Sequence, residues 1–334
     1  MTSKSNPKPL IPTLDLDFSG GIELEIHEIL KSLDFQLSDL PSKFWLMENC
    51  KSLKKQTNPS QVVSVFLRGD GVYKIIDLRQ LQLCLWNIEN EITLMVRAEQ
   101  QNAKHIMPLY AMGLSASMEL ALRMPAMLSL RRAMHQNEQL LGSAAFAACL
   151  RQGLEGLLWL QEMEYVHGDI HDGNIFFKTE NGDLVLVLGD LGSAQPYQLF
   201  GSKHDFIGFI EALHLVSMYN PNDRQLLRVC SIKYDVFAFA HLMGTQLFRK
   251  PLYTMARAAE GLDAYHLELQ FKEIVKEDII QTLQPDINNR IQDPLVINVL
   301  QNMLNEWDAR PDANEALEQL GESGLAPVKS LAQN

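Results

Sequence analysis

The residues best placed to do chemistry lie between Tyr165 and Ala194, in YVHGDIHDGNIFFKTENGDLVLVLGDLGSA. His167, Asp169 and Asn174 stand in an H-x-D-x-x-x-x-N arrangement, and Asp190-Leu191-Gly192 follows directly on an apolar run with strand character. Carboxylate and carboxamide oxygens are hard ligands of the kind Mg²⁺ takes, and a carboxylate near an attacking hydroxyl serves as a base or orienting group. Asp, Asn and Gly are also turn residues, and a lone H-x-D would read as a polar turn between a helix and a hairpin. With Asn at plus five, a two-strand spacer and Asp-Leu-Gly all in order, the bare turn is the weaker reading.

Several elements must position these groups. The runs NIFFK and DLVLVL, joined by Thr-Glu-Asn-Gly, read as a strand pair, and Ser143 to Met163 (SAAFAACLRQGLEGLLWLQEM) is the clearest helix, apolar on more than one face and so buried on most sides. Earlier, VVSVFLR (62–68), Gly69-Asp70-Gly71 and VYKIIDL (72–78) spell strand, tight turn, strand. Arg79 to Ala98 has helical character, and KHIMPLYAMG and MELALRM look like strands around a turn. From about 230 onward the pattern is mainly helical. Strands early and helices late predict an α+β chain with a small sheet-rich part and a larger helical part. Ile22 to Leu33 predicts a short helix packed on something larger, behind a flexible leader of about 14 residues rich in Ser, Lys, Asn and Pro. No internal repeat is present.

The stretch 165–194 resembles the catalytic loop and metal-binding Asp-x-Gly of the protein-kinase superfamily, whose usual forms are H-R-D…N and D-F-G. The resemblance implies a two-lobed fold with a small antiparallel-sheet N-lobe (about 41–123) and a mainly helical C-lobe (about 127–325), behind an extension, 1–40, whose helix packs on the small lobe. Phosphoryl transfer from ATP needs Mg²⁺ to neutralise the phosphates, hard oxygens to hold the metal and a carboxylate near the attacking hydroxyl. On the family pattern Asp169 is that carboxylate, Asn174 a ligand for one Mg²⁺, Asp190 the ligand bridging the metals, and His167 a structural residue packed against Leu191. Lys74, in the strand VYKII, stands where the family lysine holds the ATP α- and β-phosphates, although by itself it reads as a surface lysine on an edge strand. Glu91 in NEITLMVRAEQQNAKHIMPLY is its implied partner on a helix resembling αC, with Glu89 and Glu99 as alternatives. LALRMPAMLSL resembles the hinge: Leu122 would guard the rear of the pocket, and Arg123, Met124 and Ala126 would present backbone groups to adenine. Met124 and Met127 read equally well as plain core. YDVFAFAHL resembles the start of αF, where Asp235 would hold the catalytic-loop backbone. Arg310, just before Pro311, implies a buried ion pair with Asp223, at the place of the family's Ala-Pro-Glu glutamate.

Three departures bear on substrate. No glycine-rich loop precedes the Lys74 strand; Lys51, Lys54 and Lys55 could supply charge instead, and weak nucleotide binding is an expected consequence. Gly168 replaces the arginine of H-R-D, so switching by activation-loop phosphorylation is not expected and control falls to a constitutive setting or a regulatory partner. His171 stands where Ser/Thr kinases carry lysine, and His-Gly-Asp-Ile-His-Asp-Gly-Asn is similar to the loop of aminoglycoside phosphotransferases and choline kinases. A histidine there can donate to the γ-phosphate, with a charge that depends on pH near neutrality. The implied function is an ATP- and Mg²⁺-dependent kinase acting on Ser/Thr hydroxyls of a protein. A small-molecule kinase and a catalytically dead scaffold are the alternatives.

Composition sets the outer bounds. The chain has 334 residues, 46% hydrophobic and 21% charged, as globular proteins have, and its 41 acids against 29 bases give −12. With no local basic patch, a nucleic-acid partner is not expected, and the acidic total suits a substrate with basic residues. No run approaches the roughly 18 apolar residues of a membrane span, and the amino-terminal residues lack the apolar core of a secretory signal. Cys50, Cys84, Cys149 and Cys230 form no C-x-x-C pair and read as reduced, mostly buried thiols. A cytoplasmic protein is expected, including one delivered into another cell's cytosol. His105, His135, His204, His214 and His241 show no metal-ligand spacing.

Overall fold

A computed structural model describes residues 28, 31–41, 46, 51–52, 63–69, 71–80, 85–116, 118–136, 143–196, 232–248, 293–304 and 309–325. Strands β1 (Lys51–Ser52), β2 (Val63–Arg68), β3 (Gly71–Asp77), β4 (Ala111–Leu114) and β5 (Glu119–Pro125) form an antiparallel sheet in the order β1-β2-β3-β5-β4. The expected β2–β3 hairpin is present: Arg68 pairs with Gly71 across a two-residue turn in which Gly69 takes φ +58°, the left-handed region glycine enters without strain.

Period-two alternation divides this sheet into two faces. Ser64 and Phe66 on β2 and Tyr73 and Ile75 on β3 point one way, where Phe66, Tyr73 and Ile75 form a small core with Leu46 and Ala121, and Leu40 packs against it. Lys74 points the other way, toward α1 (Leu85–Gln100). Ile88, Ile92, Met95 and Val96 recur on α1 at helical spacing and are buried with Ile76, Met112, Leu120 and Leu122 in the main core. The region predicted as helix from Arg79 thus opens as a short 3-10 turn, Leu78–Gln80, before α1 begins.

The segment KHIMPLYAMG is extended only from Ala111. Its first half docks elsewhere: the Met107 N–H donates to the Leu188 carbonyl and the Leu188 N–H to the His105 carbonyl, both at 2.8 Å. Pro108, with no N–H, suits the break in the strand. Beyond β5, β6 (Leu128–Ser129) leads into α2 (Leu130–Gln136) and α3 (Ser143–Glu162), followed by β7 (Tyr165–Val166), β8 (Ile175–Glu180), β9 (Asp183–Leu188) and β10 (Gln195–Pro196). A three-stranded sheet has the order β6-β8-β9, and β7 pairs with β10. The Asn181-Gly182 turn between β8 and β9 has positive φ at both residues (53° and 84°), the combination that matches strand twist in two-residue hairpins.

Helices α4 (Ile232–Phe248) and α6 (Ala313–Leu320) pack on α3, and α5 (Pro294–Met303) packs on α4 and α6. Their starts carry local stop signs: Asp293 caps α5 ahead of Pro294, and Asp312 and Glu315 form a reciprocal capping box on α6. The architecture is therefore mixed α+β, with antiparallel sheets early and helices late, as patterning predicts. Of the Ile22–Leu33 helix, residues 28, 31 and 32 are helical and most of the rest lies outside the described residues, as do Cys50, Cys84 and Cys230. Leu33, Phe35 and Leu37 pack against the main core, and the Gln100 side chain donates to the Leu33 carbonyl at 2.8 Å. No helix among the described residues is long and apolar enough to cross a membrane.

Two glycines let α3 approach its neighbours. A Cβ at Gly153 would stand 2.0 Å from Cζ of Phe239, a fully buried ring on α4, and one at Gly156 would meet the His105 carbonyl at 2.9 Å. Gly153→Ala gains helix propensity of about 1 kcal/mol but overpacks the α3–α4 seam by more. The expected net result is destabilisation of about 1–2 kcal/mol, read as a lower denaturant midpoint at unchanged slope.

Candidate active site

Lys74 lies at the centre of β3, opposite Val65 on one side and the fully buried Leu122 on the other. Its Nζ donates to Oε1 of Glu91 at 2.6 Å and to Oδ1 of Asp190 at 2.8 Å. Burial works against the charge of this ammonium, yet the carboxylates of Asp190 and Glu91 hold it above the usual lysine range. Of the three acids considered on α1, Glu91 is the buried one, while Glu89 and Glu99 are exposed. α1 is held from a neighbouring position too: Asn90 donates to the Ala194 carbonyl at 3.1 Å and accepts from the Tyr165 hydroxyl at 3.2 Å.

The β8–β9 register explains how Asn174 and Asp190 approach one another. Ile175 faces Leu188, and the next step outward joins the Gly189 N–H to the Asn174 carbonyl at 2.8 Å. Asp190 then turns left-handed (φ 57°, ψ 64°), and Leu191 begins a 3-10 turn. Gly192 passes close by, so that a Cβ there would lie 3.4–3.7 Å from Glu91, Lys74 and Asp190 side-chain atoms.

The loop from His167 to Asn174 leaves β7 and enters β8. Asp235, in the first turn of α4, accepts the backbone N–H groups of His167 at 2.5 Å and Gly168 at 3.0 Å. Gly168 has φ +73°, so the residue standing in place of the H-R-D arginine occupies a backbone conformation that favours glycine. Burial pushes the His167 imidazole down to about 4, and the ring is neutral. Its tautomer is set by its partners. The Gly189 carbonyl, 3.1 Å from Nε2, can only accept, so Nε2 carries the proton, while Nδ1 accepts the Asp169 N–H at 3.3 Å. His167 therefore ties the loop to the residue preceding Asp190.

Asp169 is oriented by Asn174, whose Nδ2 donates to its carbonyl and to its Oδ2, both at 3.0 Å. Its Oδ1 is buried with no hydrogen-bond partner among the described residues. Burial raises the Asp169 carboxyl above the usual carboxylate range. His171 lies alongside: its Nε2 is 3.8 Å from Asp169 Oδ2, and its Nδ1 accepts the Gly173 N–H at 2.9 Å. Lys74, Glu91 and Asp190 thus form one cluster and Asp169, His171 and Asn174 a second, joined through His167 and the Gly189 N–H.

The residues expected at a hinge lie on and just beyond β5. Arg123 and Met124 belong to β5: Arg123 pairs with Tyr73 on β3 and Ala111 on β4, and its carbonyl accepts the Tyr110 N–H at 2.9 Å, whereas Met124 pairs with Val72 on β3, one residue beyond the last β4 pair. Ala126 lies beyond the end of β5 and is exposed. Arg310 is buried, donates to the Lys233 carbonyl at 3.1 Å and stacks 4.4 Å over the Phe237 ring. Asp223, its expected partner, lies outside the described residues, as do Lys54 and Lys55. Arg131 and Asp172, neither of them a candidate from the sequence, meet through a two-pronged ion pair; Asp172 sits inside the motif, whereas nothing in spacing points to Arg131.

Asp235 generates a stability prediction. Burial pushes its carboxyl up to about 7 against the pull of two backbone N–H groups. A folded-state value above the ordinary 3.8 means the acid form is favoured by folding. Its stabilising contribution is full below about pH 4 and is lost as pH rises through about 7. Asp235→Asn, which does not titrate, is expected to show a flatter stability profile between pH 4 and 7 than the parent in denaturant melts. Asp235→Ala leaves two buried N–H groups without acceptors and costs about 1–3 kcal/mol for each.

No family model matches the chain. Over 170 residues it is 28% identical to the serine/threonine-protein kinase pkpA of Phycomyces blakesleeanus, a match covering 50% of this chain and 24% of that protein. The chain thus spans about a quarter of the length of this curated relative. What sequence comparison shows is a distant relationship to a Ser/Thr protein kinase.

Proposed function

We propose that the chain is an ATP- and Mg²⁺-dependent phosphotransferase with a two-lobed, protein-kinase-like fold, acting on Ser or Thr hydroxyls of a protein. The observation that carries this reading is the pairing of Lys74 with both Glu91 and Asp190, next to a loop in which Asn174 aligns Asp169. The N-lobe would span about 41–123 and the C-lobe about 127–325, behind the 1–40 extension. The relative's name, a serine/threonine-protein kinase, supports the choice of acceptor.

The donor set fits Mg²⁺. This ion is commonly held by one or two protein oxygens plus substrate phosphates, and the Asp190 side chain is 42% exposed while Asn174 spends its Nδ2 on Asp169 and keeps its amide oxygen. Asp190 and Asn174 would hold the metal, which when bound neutralises phosphate charge. Lys74, fixed by its two carboxylates, would meet the α- and β-phosphates. The adenine edge would meet backbone beyond the end of β5, at Ala126, with Leu122 behind it. The Asp169 side chain, 17% exposed and oriented by Asn174, would accept a hydrogen bond from the acceptor hydroxyl, and the upward push on its carboxyl makes it a better proton acceptor. Rate acceleration would come from positioning and electrostatics, with no covalent enzyme intermediate.

A second reading rests on one observation: His171, beside Asp169, belongs to the loop spelling His-Gly-Asp-Ile-His-Asp-Gly-Asn, which favours a small-molecule acceptor. Incubation with labelled ATP and Mg²⁺, with protein, aminoalcohol and aminoglycoside acceptors, separates the two. The expected outcome is transfer to protein by the wild type and a loss of about 100-fold or more in Asp190→Ala. Modification of small acceptors alone would establish the second reading. No transfer to any acceptor, no self-phosphorylation and no thermal shift with ATP would leave a binding scaffold.

A further inference from the structure

We propose that Arg131 and Asp172 form a clamp that holds the 170–174 half of the loop in register, making Arg131 a positioning residue of the site. The proposal rests on the phosphotransferase reading of that loop. The first half of the loop is held from within: Asp235 takes the N–H groups of His167 and Gly168, and His167 takes that of Asp169. Asn174 closes the far end on Asp169. Between them, His171, Asp172 and Gly173 lie near the surface, and Arg131 reaches them from α2, 41 residues earlier in the chain.

Arg131 captures Asp172 by both main chain and side chain. Its Nε donates to Oδ2 at 2.8 Å, its Nη2 to Oδ1 at 2.6 Å, and its backbone N–H to the Asp172 carbonyl at 3.2 Å. A planar guanidinium fork on a carboxylate fixes orientation as well as distance, which a single ammonium contact does not. The place where Asp172 is held governs its neighbours on both sides. The Gly173 N–H donates to His171 Nδ1 at 2.9 Å, and a Cβ on Gly173 would come within 2.7 Å of the ring, so the imidazole rests on the Gly173 backbone. The same ring places Nε2 3.8 Å from Asp169 Oδ2. A shift of Asp172 therefore moves Gly173, then the His171 ring, then the surroundings of the reacting carboxylate.

Exposure separates this role from a merely structural one. The Arg131 side chain is 61% exposed and that of Asp172 21%, so the pair contributes little to global stability, whereas misplacing a reacting group by about 1 Å costs on the order of 100-fold in rate. The test uses the full chain as wild type, Arg131→Ala, Asp172→Ala and the double variant. Melting temperature, hydrogen–deuterium exchange of the peptide covering 168–174, and kcat and KM for ATP with Mg²⁺ are measured on each. Expected are faster exchange confined to that peptide, a fall in kcat of about 10–100-fold with KM for ATP and melting temperature nearly unchanged, and a double variant no worse than either single one. Unchanged exchange in Arg131→Ala, or additive losses in the double variant, would overturn the clamp. Faster exchange with kcat intact would overturn the positioning role. A wild type that neither transfers phosphate nor shifts with ATP would remove the phosphotransferase reading and the positioning role with it, while the exchange data would still decide whether the clamp holds the loop.

Discussion

A buried ammonium needs carboxylates, and the meeting of Lys74 with Glu91 and Asp190 constrains most of the structure around it. Leaving a charge in this setting without its partner is far more costly than the pair is stabilising, so three separate elements must arrive together. β3 brings Lys74 out on the face opposite Tyr73 and Ile75, α1 brings Glu91, and the chain beyond β9 brings Asp190. The apolar stripe of Ile88, Ile92 and Met95 sets the rotation of α1 against the sheet, and Asn90, bonded to Ala194 and Tyr165, sets it against the helical part. Apolar burial thus supplies the energy that seats α1, and a few polar bonds select the angle.

The second constraint is the neutral imidazole of His167. Because its two nitrogens must play opposite roles, one donating to Gly189 and one accepting from Asp169, the ring links the acid-bearing loop to the end of β9 in a single protonation state. Asp235 closes the set by accepting two N–H groups that the loop at Gly168, with its positive φ, leaves inside the protein. The loop that offers Asp169 is therefore tied to α4 through Asp235 and to the end of β9 through His167, and its outer half is held by the Arg131 fork. In the proposed phosphotransferase such anchoring is what positioning catalysis requires.

Much of this was legible in the order of residues. Alternation in VVSVFLR and VYKIIDL, the Gly69 turn and the Asn181-Gly182 turn are local signals, and each lies where the structure has a strand or hairpin, because period-two burial and positive φ are settled within a few residues. The H-x-D-x-x-x-x-N and Asp-Leu-Gly spacing likewise pointed to residues that the hairpin register brings together. The early part of KHIMPLYAMG, strand-like in its residues, bonds instead to β9, a partner more than 80 residues away that pattern does not encode.

The sequence by itself determined the chemistry on offer: which carboxylates, amide and amine exist, and which lie on the two strands that a short turn must join. Only the tertiary structure decided which of them meet. Glu89, Glu91 and Glu99 have the same side chain on one helix, and burial of α1 against the sheet singles out Glu91. Arg123 is flanked by β3 and β4, while Met124 pairs with β3 beyond the last β4 pair, a difference one residue apart that only the sheet register sets. Arg131 and Asp172, 41 residues apart, became a pair through the packing of α2 on the loop. Covalent order sets local geometry over a few residues, whereas ion pairs and hydrogen bonds between distant segments are fixed by how the cores pack.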